Sequence, residues 1–235
     1  MKILAIDSTA KTATVSICED ERLISIYSVT AGLNHSETLL PMIENALTTA
    51  QTDIDEIDMF AISDGPGSFT GVRIGMSLLK GLAFGKQKLC VGVSTLEALA
   101  YNLKGFVGVI CPVMDARREQ VYNALFLSDG EKLVRLTEDR AIPLKDLEAE
   151  LKEKYADKAV YLCGDGLELA LKTIDFCFAF TPVLLREQNA YSVSNVALTK
   201  YKSNPEDDYS DRNIKPVYLR VPQAERERLE RINNN

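Results

Sequence analysis

The 235-residue chain contains no tryptophan, a single histidine (His35), and no CxxC pair among its five cysteines. One histidine excludes zinc sites built on two or three imidazoles, and it excludes the HExxH motif of metalloproteases. An odd number of widely spaced cysteines is typical of a reduced chain with buried thiols rather than a disulfide scaffold. We therefore assign no metal ligand and expect no disulfide framework.

Long hydrophobic runs are missing as well. No stretch approaches the ~18 apolar residues of a membrane-spanning helix, and the short apolar run between Lys2 and Asp7 is too brief for a signal peptide. Lys and Arg number 27 against 34 Asp and Glu, which gives a net charge of −7. Because phosphate contacts need clustered cations, strong unaided binding of nucleic acid is not expected. The sequence predicts a cytoplasmic protein that meets no membrane.

One order of elements occurs twice along the chain. Each copy has an apolar strand ending in an acid, a returning strand, a helix, a further strand, a glycine loop and another helix. The acids are Asp7 and Asp115, and the glycine loops contain the pairs Asp64-Gly65 and Asp165-Gly166. We interpret this order as an internal duplication, although any α/β chain offers such coincidences.

Two such halves, each a mixed sheet with flanking helices, describe an α/β fold of the actin/Hsp70/sugar-kinase class. We predict an N-terminal subdomain over 1–103 and a C-terminal subdomain over 104–235. Further predictions concern single elements of these subdomains. They are helices over 35–50, 72–84, 143–154, 167–173 and 223–232, three initial antiparallel strands, and one returning strand over 120–127.

The most informative segment is DGPGSFTGVRIG, residues 64–75. Its glycines permit sharp turns, and its hydroxyl residues are preferred helix N-caps. Exposed amides at a helix start can hold an anion, but the loop matches neither a Walker A nor a dinucleotide motif. The alternative to an anion-binding loop is a tight turn that only connects the strand to the helix. The residues of this candidate loop are Gly65, Gly67, Ser68, Thr70, Gly71 and Arg73.

Helices 35–50 and 72–84 both have wide apolar faces, and the second has about two of them. Gly71 and Gly75, one turn apart, allow another backbone to approach closely. Both helices are therefore either buried within their own chain or shared with another protein. The candidate interface residues are His35, Leu39, Met42, Ile43, Ala46, Val72, Ile74, Gly75, Met76, Leu78 and Leu79.

Kinases of this fold hold ATP phosphates in two glycine-containing turns that follow the two strand-end acids. Residues 1–31 contain no glycine, and neither does the turn 116–120. Bulky side chains keep backbone amides away from phosphates, so Asp7 and Asp115 are interpreted as acids that cap turns. No nucleophile–base pair stands out around His35, and we assign no catalytic residue.

Seven stretches of the chain together match one known family. They are MKILAIDST at 1–9, NHSETLLPMI at 34–43, GPGSFTGVRIG at 65–75, KGLAFG at 80–85, VGVSTLEALA at 91–100, MDARREQVY at 114–122 and KPVYLR at 215–220. In these stretches the chain resembles the TsaB family of bacterial tRNA threonylcarbamoyladenosine biosynthesis subunits. The stretches follow the family's order and span nearly the whole chain, most densely before residue 122.

The resemblance implies a non-catalytic scaffold subunit in modification of the adenosine next to the anticodon of tRNAs reading codons that start with A. The implied catalyst is the paralogous TsaD, which transfers threonylcarbamoyl from its adenylate, and the ATPase TsaE joins the pair. ATP and metal are expected on those partners, with none bound tightly by this chain. The helix pair is the implied TsaD surface, and it forms a homodimer when TsaD is absent. This chain would then meet tRNA only through TsaD.

Three alternatives remain open at this point. A small-molecule kinase or ATPase of the same fold requires ATP binding by the isolated chain. A metal peptidase, which the family's glycoprotease-like label suggests, requires a bound metal, and the single histidine counts against it. A chaperone-like binding module would act outside any RNA pathway.

Overall fold

The computed structural model describes residues 1–220, and the helix predicted over 223–232 lies outside the described residues. The first half of the chain contains β1 (Lys2–Asp7), β2 (Ala13–Glu19), β3 (Arg22–Val29), α1 (His35–Thr49), β4 (Met59–Gly65), α2 (Phe69–Ala83), β5 (Leu89–Ser94) and α3 (Thr95–Tyr101). The second half contains β6 (Val107–Asp115), β7 (Gln120–Asn123), β8 (Phe126–Asp129), β9 (Leu133–Arg135), β10 (Arg140–Pro143), α4 (Leu144–Lys154), β11 (Val160–Cys163), α5 (Leu167–Thr173) and α6 (Ala190–Ser203).

The strands of the first half form a single sheet in the order β3-β2-β1-β4-β5. The three initial strands are antiparallel, as predicted, and β4 and β5 continue the sheet in parallel. Central strand β1 is buried on both faces because successive side chains point to opposite sides of a strand. Leu4 and Ile6 join the core under α1 and α2, whereas Ile3 and Ala5 join the core on the opposite face.

The second half repeats this arrangement. Strand β6 pairs in parallel with β11, as β1 does with β4, and α4 and α5 cover one face of its sheet. On its other side, β6 meets two short antiparallel strands, β7 and β8, instead of one. The predicted duplication and the actin/Hsp70/sugar-kinase class of α/β fold are thereby confirmed.

The single returning strand predicted over 120–127 is wrong, because the chain leaves the β6 ladder at Ala124 and Leu125. The side-chain amide of the buried Asn123, the last residue of β7, donates to the Pro112 carbonyl at 2.9 Å and to the Ala124 carbonyl at 3.2 Å. The Leu125 amide donates to the Thr137 hydroxyl at 2.8 Å. Side-chain oxygens that bond backbone amides compete in this way with sheet pairing.

Helix α6 has no counterpart among the predicted elements. Its buried side chains, including Val193 and Ala197, pack against Ile3, Ala5 and Met59 of the first sheet. A helix from the C-terminal part of the chain therefore completes the core of the N-terminal half. The subdomain boundary after residue 103 stays a prediction. Helix α6 follows that boundary in the sequence but packs on the sheet that precedes it.

The bounds of α1, α4 and α5 agree with the prediction to within one residue, whereas α2 begins three residues earlier than predicted. Ser68 is its N-cap, since the Ser68 hydroxyl accepts the Gly71 amide at 3.2 Å. Among residues 1–220, no helix is both long enough and apolar enough to cross a membrane.

Candidate functional site

The glycine loop between β4 and α2 is pressed against the turn between β1 and β2. The Ser68 amide donates to the Thr9 carbonyl at 2.7 Å. A Cβ at Gly67 would lie 2.5 Å from that carbonyl oxygen, and a Cβ at Gly71 would collide with the Ser8 carbonyl. These glycines therefore serve close approach of two backbones within the chain. The tight strand-to-helix turn is the alternative that the contacts favour.

The two glycines of the small-residue stripe on α2 also face inward. A Cβ at Gly75 would fall closer than 3.0 Å to the Ser8 hydroxyl and 3.1 Å from a methyl of Ile62. The same hydroxyl donates to the Gly71 carbonyl at 2.9 Å. The close approach predicted from Gly71 and Gly75 is real, but its partner is the chain's own first turn. A bulky side chain at Gly75 would therefore collide with Ser8 and Ile62 inside the chain, and it would disturb the fold rather than a docking surface.

Most of the predicted interface residues lie beneath the surface of the chain, while their predicted role in docking stays a prediction. Eight of the eleven are buried, and six of the eight belong to the core under α1 and α2. They are Leu39, Met42, Ile43, Ala46, Val72, Gly75, Met76 and Leu79. Only His35, Ile74 and Leu78 are partly exposed. Both helices use their wide apolar faces on the sheet and on each other, so few of these side chains can touch another protein.

The outer surface of the helix pair is formed by different residues. On α2 the exposed positions recur every three or four residues and make one stripe along the helix. They are Thr70, Arg73, Ser77 and Gly81, followed by Phe84 at the C-cap. Phe84 is 79% exposed, and Leu40 on α1 is 43% exposed.

A C-terminal strap, residues 214–220, binds the start of this stripe. Ile214 is buried in the core under α2, and the Val217 amide donates to the Asp64 carbonyl at 2.8 Å. The Tyr218 ring lies 4.9 Å from the Phe69 ring in the first turn of α2. At its end, Arg220 donates to the Ala116 carbonyl of the second half at 2.5 Å. The strap therefore joins the glycine loop to the opposite half of the chain.

Arg73 is fixed between the two aromatic rings. Its guanidinium carbon lies 3.8 Å from the Phe69 ring centre and 5.9 Å from the Tyr218 ring centre. Its Nε donates to the Tyr218 hydroxyl at 3.0 Å. KPVYLR was recognised in the sequence as a motif, but no local pattern indicates that it meets α2 some 145 residues away.

A cleft of about 590 Å³ separates the two halves beside this strap. It is lined by both strand-end turns, by the glycine loop and by the strap. The cationic side chains in its wall are Lys11, Arg117 and Arg220, and the acidic ones are Asp115 and Asp165. The imidazole of His35 also lines the cleft. In the wall, the His35 Nε2 lies 2.8 Å from the Ala10 carbonyl, which fixes the start of α1 against the first turn.

The acids that end β1 and β6 cap their own turns, as predicted. Asp7 accepts the Thr9 amide at 2.9 Å and the Ser63 hydroxyl at 2.5 Å. Burial raises the pKa of Asp7, and these hydrogen bonds oppose the rise. In the second half, Asp115 accepts the Arg117 amide at 2.6 Å. The Thr9 and Arg117 amides of these two turns are therefore engaged within the chain.

The second turn has an unusual backbone. Arg117, Arg118 and Glu119 all have φ near +60°, the left-handed region that glycine normally occupies. Asp165 packs behind this turn, where the Asp115 amide donates to its carboxylate at 3.3 Å. Burial raises the Asp165 pKa to about 6. Within residues 1–220, no group of three or more His, Cys, Asp and Glu side chains is placed to hold a metal ion.

Comparison with known proteins identifies the family. The family model described as "TsaD: tRNA N6-adenosine threonylcarbamoyltransferase" matches residues 27–232. The protein named tRNA threonylcarbamoyladenosine biosynthesis protein TsaB from Bacillus subtilis (strain 168) is 34% identical over 175 residues, which is 74% of this chain and 76% of that protein. The chain belongs to the TsaB branch of the TsaD family. The resemblance noted from its motifs is thus confirmed.

Other TsaB relatives agree with this assignment. The TsaB protein of Escherichia coli (strain K12) is 34% identical over 145 residues, covering 60% of this chain and 62% of that protein. Among solved structures, YeaZ from Pseudomonas aeruginosa superimposes with a TM-score of 0.72 at 22% identity, over 93% of this chain and 99% of that one. At that level of identity the match shows a shared fold, and it reaches almost the full length of YeaZ.

Proposed function

We propose that this TsaB-family chain is a non-catalytic scaffold subunit for threonylcarbamoyl transfer to tRNA, and that a TsaD-type subunit docks on α1 and α2. The observation that carries the proposal is the exposed stripe of α2. Gly81 and Ser77 have small side chains, so a partner helix can approach closely. Leu40 and Phe84 add exposed apolar surface at the edges of the pair. In the absence of the partner, a second copy is expected to use the same surface.

Nucleotide and metal would then belong to the partner subunits of TsaD and TsaE type. The engaged amides of Thr9 and Arg117 support this division of labour, because phosphate cradles need free backbone donors. A net charge of −7 supports tRNA contact through the TsaD-type subunit rather than by this chain alone. Such a complex would work in the cytoplasm.

The test is light scattering after size exclusion, with the full chain alone and mixed with the TsaD-type protein of the same organism. A heterodimer is expected from the mixture. Gly81→Tyr should abolish it without unfolding the chain, since a Cβ at Gly81 meets no atom within 4 Å. Ala149→Tyr is the matched control, because Ala149 is exposed on α4 of the other half.

Two results would overturn the proposal. One is a mixture that forms no complex even with a TsaE-type protein and nucleotide present. The other is a heterodimer that forms equally well with Gly81→Tyr. Calorimetric titration of MgATP into the isolated chain tests the alternative of a small-molecule kinase or ATPase. If the isolated chain bound ATP tightly and transferred its phosphoryl group, the kinase or ATPase alternative would take the place of the scaffold proposal.

A further inference from the structure

Arg73 has hydrogen-bond capacity that residues 1–220 do not use. An arginine guanidinium carries five N–H donors in a rigid planar fork. Only Nε has a partner in the described part of the chain, the Tyr218 hydroxyl. The donors on the two Nη atoms have no hydrogen-bond or ion-pair partner among residues 1–220, and the side chain is exposed. A fixed fork of this kind suits a carboxylate, which it can bind through two parallel hydrogen bonds.

The position of this fork is set before any partner arrives. Phe69 lies against one side of the guanidinium at 3.8 Å, and Tyr218 holds Nε at 3.0 Å. Tyr218 is itself placed by the strap, whose Val217 amide is bonded to β4. Because less side-chain freedom remains to be lost, a pre-ordered arginine contributes more to affinity than a mobile one.

We propose that Arg73 is an anchor of the docking surface, and that it takes an aspartate or glutamate carboxylate of the TsaD-type subunit. Tyr218 is the positioning residue that presents it. This inference rests on the proposed function, since it names a contact within the same docking surface. Arg73 lies on the α2 stripe between Thr70 and Ser77, where a partner helix would pass.

A protein carboxylate fits this location better than an RNA phosphate. Arg73 stands between the uncharged side chains Thr70 and Ser77 on its helix, and it does not line the cleft that holds the other cations. Phosphate backbones are bound by clusters of cations, whereas a single arginine held beside aromatic rings is typical of the residues that dominate protein–protein interfaces. The acidic chain as a whole also repels a polyanion.

The test is isothermal titration of the TsaD-type protein of the same organism into the full chain and four variants. Arg73→Ala should weaken binding by about 10- to 100-fold, and Arg73→Lys by several-fold, because lysine keeps the charge but loses the fork. Tyr218→Phe removes only the hydroxyl and should weaken binding by about 3-fold. Arg22→Ala is the matched control at an exposed arginine paired with Glu19, and its affinity should stay within about 2-fold.

Two further readouts separate anchoring from general structural damage. Raising the salt concentration should weaken binding of the parent chain more than that of Arg73→Ala, because the ion pair is screened. Tyr218→Phe should have no further effect when it is introduced into Arg73→Ala. Circular dichroism melting of each variant checks that the chain is folded, and Arg73→Lys and Tyr218→Phe remain informative if Arg73→Ala unfolds.

The possible outcomes are distinct. If the parent chain binds no TsaD-type protein, the proposed function itself fails. If the parent binds and all Arg73 and Tyr218 variants bind equally well, only the anchor is refuted. The anchor is also refuted if Arg73→Ala weakens tRNA binding by the complex, or self-association of the chain, while leaving affinity for the TsaD-type protein unchanged.

Discussion

Gly75 of α2 lies directly against Ser8 in the turn after β1, so that a methyl group on Gly75 would meet the Ser8 hydroxyl closer than 3.0 Å. That hydroxyl is already committed to the Gly71 carbonyl. The contact connects the first turn of the chain to the middle of a helix more than sixty residues later. It explains why a glycine stands in the interior of α2, where alanine would ordinarily favour the helix.

Gly75→Ala is therefore expected to destabilise the chain. The added methyl displaces the Ser8 hydroxyl from Gly71, and overpacking of this kind costs about 1–3 kcal/mol. That loss exceeds the gain in helix propensity, which is at most about 1 kcal/mol. Urea unfolding followed by circular dichroism measures the change. In the double variant with Ser8→Ala, much of the loss caused by Gly75→Ala should disappear, because the colliding atom has gone.

Gly81 offers a control in the same helix. A Cβ there meets nothing within 4 Å, and the residue is exposed. Gly81→Ala should raise the free energy of unfolding by about 0.5–1 kcal/mol through helix propensity alone. Equal effects of alanine at Gly75 and Gly81 would contradict the packing explanation.

The sequence predicts the order of elements along the chain and most helices, because hydrophobic periodicity reports burial directly. It cannot say what covers an apolar face. Helix α2 has two such faces. The pattern of apolar residues around the helix is the same whether the second face packs on α1 or on another protein. In the structure, Met76 and Leu79 are buried within their own chain. The exposed stripe of α2 that includes Arg73 and Ser77 forms the surface instead.

Long-range contacts account for the other differences. Helix α6 packs on β1, almost two hundred residues away, and the strap places Tyr218 on Phe69. Nothing in the local composition of either segment indicates its partner, since pairing depends on the path of the whole chain. The motif KPVYLR marked the strap as distinctive without locating it.

The strap is expected to be part of the folded core of the first half. Ile214→Ala should lower the free energy of unfolding by about 2–4 kcal/mol, because Ile214 is buried beneath α2 and its removal leaves a cavity. Urea unfolding measures this change. Val217→Ala is the control, since Val217 is 43% exposed and the variant keeps the hydrogen bond from the backbone amide of residue 217 to the Asp64 carbonyl. A change below about 0.5 kcal/mol is expected there.

The pH dependence of stability is expected to contain a contribution from Asp64. Burial of its carboxyl between β4 and β5 raises the Asp64 pKa to about 7, with the charge of Asp139 adding to the rise and Lys200 opposing it. Between pH 4 and 7 the folded chain keeps this proton while the unfolded chain has lost it. The contribution of the protonated Asp64 carboxyl to the free energy of unfolding is therefore complete below about pH 4 and is lost as the pH rises through 7. The free energy of unfolding falls over this range by at most about 1.4 kcal/mol per pH unit.

Asp64→Asn should remove this contribution, because an amide cannot ionise in the same site. The variant should gain stability relative to the parent chain as the pH rises from 5 to 8.5, measured as the shift in urea midpoint at each pH. Asp157→Asn serves as the control, since Asp157 is exposed beyond the end of α4 and its difference from the parent should not change across that range. A stability difference for Asp64→Asn that is equally flat would mean that the Asp64 carboxyl is ionised in the folded chain throughout, held by Lys200 more strongly than burial opposes it.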